Sequence, residues 1–314
     1  MAAFANQPIP APVRIANFRT DLDISVEHLN AALDLAKEVK QSRPRFASAL
    51  KGRYAALLFE KPSLRTRMTF ELAMKQLGGD VVTQIGMIGD REPLKDVARN
   101  LGRWTDVIVA RTFTQQTVDE LARWSGLPVV NALTDLYHPC QALADVFTLK
   151  EKFGRLRGLK LAYVGDGNNV AQSLMLCCAR LGVNIAVATP VGYAPRTSVI
   201  AHAIELARIS GARVEVMADP ADAVHHADAV YTDVWTSMGQ ESEAEERQKL
   251  FGPYQVNELL LSLAKTDALF MHCLPAKRGQ EVTDQVMESP QSIAFDQAEN
   301  RLHVQKAILL MLLQ

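Results

Sequence analysis

Phe59-Glu60-Lys61-Pro62-Ser63-Leu64-Arg65-Thr66-Arg67 follows directly on the apolar run Tyr54–Phe59 and leads into Phe70, Ala73, Met74 and Leu77. The apolar run reads as a strand that Pro62 stops, and the i, i+3, i+4, i+7 spacing beyond Ser63 reads as a helix. Arg65 and Arg67 then fall in the first helical turn. A helix N-terminus already carries a partial positive charge and free N–H groups, so cations placed there expect an anion between them. A phosphate would accept bonds from the Ser63 and Thr66 hydroxyls, from backbone N–H groups and from a guanidinium fork together. The plain alternative is that the arginines solvate the helix end or pair with Glu60 and Glu71.

The same strand-to-helix alternation runs through the rest of the chain. Ser25 to Gln41 reads as an amphipathic helix. Further strand candidates are Val107–Ala110, Pro128–Leu133, Lys160–Val164, Asn184–Thr189, Arg213–Val216, Ala229–Thr232 and Ala268–Met271, with helical spacing between them. This pattern predicts an α/β fold of two domains, each a parallel β-sheet flanked by helices. A hinge is expected near residue 150, where Phe153-Gly154-Arg155-Leu156-Arg157-Gly158 follows the helical stretch Gln141 to Lys152. Residues 1–150 would form the first domain and residues 151–299 the second. The apolar helix candidate Leu302 to Leu313 has no strand after it, so residues 300–314 are expected to return to the first domain.

Composition limits the function classes. The chain has 314 residues, 48% of them hydrophobic and 22% charged, which suits two globular domains of ordinary size. Lys and Arg total 34 against 35 for Asp and Glu, so no net field gathers nucleic acid or an anionic membrane. No apolar run approaches the roughly 20 residues needed to span a bilayer. Met1 to Val13 lacks the basic and apolar regions of a signal peptide. A cytoplasmic location is expected. Cys140, Cys177, Cys178 and Cys273 lack CxxC spacing, which suits packed thiols in a reducing compartment and does not indicate zinc.

The second half opens with Leu161-Ala162-Tyr163-Val164-Gly165-Asp166-Gly167-Asn168-Asn169-Val170, a strand, a glycine turn and a helix. A dinucleotide site would need a small residue where Val170 stands and a carboxylate where the next strand ends in Thr189. Gly165 and Gly167 therefore read as a tight turn, with Asn169 free to face a polar ligand. In parallel α/β sheets, ligands bind beyond the carboxyl ends of the strands. The residues found there are Ser63 to Arg67, Arg111, His138-Pro139-Cys140-Gln141, Gly165 to Asn169, Asp233 to Gly239 and His272-Cys273-Leu274-Pro275. The first half offers cations and donors for a phosphate and a carbonyl. The second offers an amide, a carboxylate and a thiol for an amine.

Five motifs, in this order, resemble the aspartate and ornithine carbamoyltransferase family over nearly the whole chain, with the ornithine branch the nearer. They are Ser63-x-Arg65-Thr66-Arg67, His138 to Asp145, Gly165 to Asn169, Asp233 to Gly239 and His272 to Pro275. The resemblance implies carbamoyl phosphate and L-ornithine as substrates and no metal or organic cofactor. It implies a homotrimer or an assembly of trimers, with active sites between subunits. Carried over by position, Ser63, Leu64, Arg65, Thr66 and Arg111 would hold the phosphate. His138 and Gln141, with Pro139 and Cys140 between them, would hold the carbamoyl group. Cys273, Leu274 and Arg301 would complete the reaction centre. Asn169, Asp233, Ser237 and Met238 would bind ornithine. Arg65, Arg111, His138 and Cys273 would be catalytic. His272 is read as structural.

The chain departs from the family pattern in two places. The stretch from Gly78-Gly79 to Glu92-Pro93-Leu94-Lys95-Asp96 is short for the family, which leaves Gln84 as the candidate contact to a neighbouring subunit's carbamoyl phosphate. Leu64 stands where the ornithine enzymes commonly have threonine, at a position that mainly offers backbone. Asp233 suits a free α-ammonium. The Glu-rich stretch Gln240 to Arg247 reads either as a lid or as a solvated face. The rival readings are a transferase for N-acylornithine or putrescine, and a non-catalytic ligand-sensing homologue.

Overall fold

The computed structural model describes residues 13–236 and 241–314. By contact the chain divides into two units, one of residues up to Phe147 with Asn300–Gln314, the other Thr148–Glu299. The division falls inside the helix Pro139–Phe153 rather than after it. No helix among the described residues is long and apolar enough to cross a membrane.

The first unit is built on a parallel sheet of β1 (Tyr54–Phe59), β2 (Asp80–Ile85), β3 (Val107–Arg111) and β4 (Val129–Leu133), in the order β2-β1-β3-β4. β1 and β3 are buried along nearly their whole length, as expected for central strands covered on both faces. The sequence reading missed β2. It is an edge strand with Val82 and Ile85 63% and 59% exposed, so it shows neither the continuous apolar run of a central strand nor a clean alternation.

The second unit carries β5 (Lys160–Val164), β6 (Asn184–Ala188), β7 (Val214–Met217), β8 (Ala229–Thr232) and β9 (Leu269–His272), all parallel, in the order β7-β6-β5-β8-β9. Its core joins Ala162, Val164, Val230 and Phe270 of the sheet to Val282, Val286 and Met287. The last helix runs Ala294–Leu313, starting earlier than Leu302 because Gln297, Asn300 and Arg301 are buried polar residues that break the apolar pattern. From Asn300 onward it belongs to the first unit.

Both sheets reverse strand order at an identifiable place, between β1 and β3 in one and between β5 and β8 in the other. Such switch points open a crevice at the strands' carboxyl ends, where ligands bind. The segment Ser63 to Arg67 follows β1 and Arg111 ends β3. Gly165 to Asn169 follow β5 and Asp233 follows β8. Register then fixes neighbours: Thr232 pairs with His272, so Asp233 and Cys273 leave adjacent strands side by side.

The turn after β5 depends on Gly167. A Cβ there would meet the Pro195 nitrogen at 2.3 Å and the Tyr193 carbonyl oxygen at 2.5 Å, both backbone atoms that cannot swing away. Gly167→Ala is expected to lower stability by about 1–3 kcal/mol in urea denaturation. Gly252→Ala, where a Cβ meets nothing within 4 Å, should leave it nearly unchanged.

Candidate active site

In the first unit the Ser63 hydroxyl caps the helix Leu64–Gln76 by accepting the Thr66 N–H at 3.3 Å. The buried Thr66 hydroxyl in turn accepts from Arg301 Nη2 at 2.5 Å. Arg65 is half-buried in the same first turn, and Leu64 is 68% exposed. Arg111 pairs with Phe59 across the sheet, and its carbonyl accepts the Glu60 N–H at 2.9 Å. The Glu60 carboxylate takes the N–H groups of Ile88 and Phe113 at 3.2 and 2.8 Å. Arg67 reaches Glu71 at 3.8 Å on the surface, as in the plain alternative, where such pairs contribute little.

His138 is buried between these cations. Desolvation first, then the Arg301 and Arg111 guanidinium groups, hold its imidazole well below the ordinary histidine range, so it is neutral near pH 7. Pro139 opens the helix Pro139–Phe153, at the position where proline's missing N–H costs nothing. The Cys140 thiol donates to the Asn131 carbonyl at 3.4 Å, and burial pushes it up to about 12, so it is an inert packed thiol. Gln141 donates through Nε2 to Asp145 at 2.8 Å, leaving its buried Oε1 without a hydrogen-bond partner among the described residues. Thr66, Arg111, His138 and Arg301 are thereby brought together. Gln84 stands apart from them, exposed on the edge strand β2 and donating to the Gly86 carbonyl at 3.5 Å.

In the second unit Asp233 is 6% exposed and each of its oxygens is held. Oδ1 accepts the Cys273 thiol at 3.0 Å and the Val234 N–H at 2.8 Å, while Oδ2 accepts Asn168 Nδ2 at 2.8 Å. The Asn168 Oδ1 caps the following helix, accepting from Val170 and Ala171 N–H groups at 2.9 and 3.2 Å. Sequence reasoning chose Asn169 as the ligand-facing amide. The structure puts Asn169 half-buried as the first residue of the helix Asn169–Leu181, and gives the structural link to Asp233 to Asn168. An asparagine immediately before a helix is an N-cap signal that pointed to this role. Ser237 and Met238 lie outside the described residues.

His272, read as structural, shapes the turn that carries Cys273. Its Nδ1 accepts the Leu274 N–H at 2.8 Å, holding Leu274 at a φ of 59°, a left-handed conformation that disfavours a leucine. Its Nε2 faces Glu281 at 3.2 Å, and Glu281 also takes the Lys277 N–H at 2.5 Å. Among the described residues, Asp233, His272 and Cys273 form a group whose ligating atoms lie within 4.8 Å of one another, a spacing that admits a cation. Both ring nitrogens of His272 are already engaged, so a cation would first have to displace the Leu274 or Glu281 contact.

The cations with their neutral histidine and the buried carboxylate bonded to a thiol lie within the stretches that two models of one family match. Residues 17–151 match the carbamoyl-phosphate binding domain of the aspartate/ornithine carbamoyltransferases, and residues 157–312 match their aspartate/ornithine binding domain. The chain belongs to the aspartate/ornithine carbamoyltransferase family. It is 51% identical to the ornithine carbamoyltransferase of Gloeobacter violaceus over 309 residues, covering 95% of this chain and 97% of that one. The ornithine carbamoyltransferase structure from Pyrococcus furiosus superposes with a TM-score of 0.93 at 47% identity, covering 96% of this chain and 97% of that one. An acetylornithine transcarbamylase complexed with acetylcitrulline matches with a TM-score of 0.86 at 34% identity, covering 95% of this chain and 99% of that one.

Beside the Asp233 group, burial pushes the Asp166 carboxyl up to about 6, against the opposing pull of Arg247. The folded state therefore binds this proton more tightly than the unfolded chain, whose carboxyl titrates near 3.8. The stabilisation from this group is complete below about pH 4 and lost as pH rises through about 6. Asp166→Asn cannot titrate. The unfolding free energy of the variant minus that of the native chain is expected to rise between pH 4 and pH 7, by at most about 3 kcal/mol. Urea denaturation across that range checks it, and a flat or falling difference would contradict the assignment.

Proposed function

We propose that the protein transfers the carbamoyl group of carbamoyl phosphate to the δ-amine of L-ornithine, giving L-citrulline and phosphate. The observation that carries this reading is the buried Asp233 carboxylate bonded to the Cys273 thiol, in a chain of this family. A carboxylate suits an acceptor with a free α-ammonium. An aspartate acceptor would need cations around its two carboxylates, and an Nα-acylated ornithine would have no α-ammonium to offer Asp233.

In this reading Ser63, the Leu64 backbone, Arg65, Thr66 and Arg111 hold the phosphate, and Arg301 braces Thr66. Neutral His138 donates its single N–H to the carbamoyl oxygen, while Gln141 Oε1 accepts from the carbamoyl amide. Leu274 and the Pro139-Cys140 step contribute backbone. Asn169, Asp233, Ser237 and Met238 bind the amino acid. An alkyl amine titrates near about 10.4, so on the order of one part in a thousand is nucleophilic at pH 7. Cys273 and Asp233 orient the amine and take up its proton. The amine nitrogen bonds to the carbamoyl carbon, the bond from that carbon to the bridging oxygen breaks, and phosphate leaves with that oxygen and the electron pair. Charge grows on the carbonyl oxygen and then on phosphate, where the arginines stand preorganised.

Assembly into homotrimers belongs to the same reading. Leu64, Met68 and Leu72 form an i, i+4, i+8 stripe that is 68%, 47% and 41% exposed, and the edge strand β2 adds Val82 and Ile85. Exposed apolar stripes and unpaired edges are surfaces that a second copy covers. Gln84, on that same strand, would reach the carbamoyl phosphate of the neighbouring copy. The four cysteines are buried and none forms a disulfide among the described residues, which fits the reducing conditions of a cytoplasm.

Purified protein given carbamoyl phosphate should form citrulline with L-ornithine, and no carbamoylated product with N-acetyl-L-ornithine, N-succinyl-L-ornithine, putrescine or L-aspartate. Turnover confined to another amine would discard the amino-acid half of the reading. No turnover by folded protein would favour a ligand-sensing role. Among variants, Cys273→Ala is expected to reduce kcat by about a hundredfold with little change in carbamoyl phosphate affinity. Arg65→Ala should raise the KM for carbamoyl phosphate first. Near-native kinetics in both would sink the mechanism.

A further inference from the structure

Arg247 lies in the helix Ala244–Phe251, within the Glu-rich stretch that sequence alone reads as a solvated face or a lid. It is only 5% exposed. Its Nη1 donates to Asp166 Oδ2 at 3.0 Å and to the Trp235 carbonyl at 2.8 Å, and its Nε donates to Glu243 Oε2 at 2.9 Å. The guanidinium stands 4.8 Å from the Tyr193 ring centroid and 5.8 Å from that of Phe251.

The acceptors are what make this arrangement informative. Asp166 sits in the Gly165 to Asn168 turn after β5, and Trp235 is two residues beyond Asp233 at the end of β8. One guanidinium therefore ties together the two strand ends that flank the switch point of the second sheet. Asn168 makes the second tie from the same turn, directly to Asp233. Asp166 and Asp233 also repel each other, and the Arg247 charge offsets that repulsion. Lysine could supply the charge but not a planar fork that serves three acceptors in different directions.

We propose that Arg247 is a positioning residue for the amino-acid substrate: by clamping Asp166 and the Trp235 carbonyl, it holds Asp233 in the place where it meets the substrate ammonium. The proposal rests on the reading above that Asp233 binds ornithine. Arg247 itself need touch neither substrate. A charge-assisted bond network of this kind contributes enough that its loss should appear as a change of about tenfold or more.

The test is steady-state kinetics of the full chain carrying Arg247→Gln, Arg247→Lys, Asp166→Asn or Asp233→Asn. The inhibition constant of L-norvaline is measured beside them, because norvaline keeps ornithine's α-groups and lacks the δ-amine. Arg247→Gln should raise the KM for ornithine and the norvaline constant by about tenfold or more, with the carbamoyl phosphate KM within about twofold and kcat reduced less than the affinity. Arg247→Lys should fail to restore ornithine affinity. Asp166→Asn should move the same two constants in the same direction, and it carries the test if Arg247→Gln does not fold.

A native ornithine KM in folded Arg247→Gln, or a parallel rise for both substrates, would overturn the proposal. If Asp233→Asn loses norvaline while the Arg247 and Asp166 variants keep it, the proposal fails and the reading of Asp233 stands. If Asp233→Asn itself keeps native norvaline affinity, that underlying reading fails.

Discussion

The contact between the Cys273 thiol and the Asp233 carboxylate is the interaction on which the functional account depends. It is a product of strand register. Thr232 and His272 are paired residues of β8 and β9, so the next residue of each strand emerges at the same level and on neighbouring strands. The carboxylate would not be tolerated there alone. A buried carboxylate costs several kcal/mol unless its oxygens are satisfied, and Asp233 is satisfied by the thiol, by Asn168 and by its own neighbour's N–H.

Around that contact the second unit spends much of its polar capacity on position. Asn168 caps a helix with its oxygen and fixes Asp233 with its nitrogen. His272 holds the Leu274 turn on one side and Glu281 on the other. Gly167 lets the Tyr193 to Pro195 segment close on the turn after β5. The first unit follows the same logic with opposite charge. Three buried or half-buried arginines, and a histidine kept neutral by burial and by two of them, Arg301 and Arg111, form a surface that calls for an anion beside a polarised carbonyl.

Much of this was legible in the sequence because its elements are locally encoded. Ser63 caps its helix, the central strands are near-continuous apolar runs, and the chemistry-bearing residues fall where parallel strands end. Other parts are set by tertiary context. β2 is an exposed edge whose pairing with β1 alone makes it a strand. The last helix begins at Ala294 because its polar residues are buried by partners distant in sequence. Arg247 lies in a charged stretch that sequence alone reads as a lid or a solvated face, since only the fold brings Asp166 and Trp235 to it. Asn168 and Asn169 differ by one position, and the cap geometry, which composition does not reveal, separates their roles.

The claim that Asp233 reads the α-ammonium is tested most directly by comparing L-ornithine with 5-aminopentanoate, which keeps the reacting amine and the carboxylate but lacks the α-amine. The ratio of kcat/KM for the two acceptors should strongly favour ornithine in the native protein and collapse towards unity in Asp233→Asn. An unchanged ratio, with turnover of both acceptors reduced equally, would contradict the account and confine Asp233 to the proton chemistry at the reacting amine.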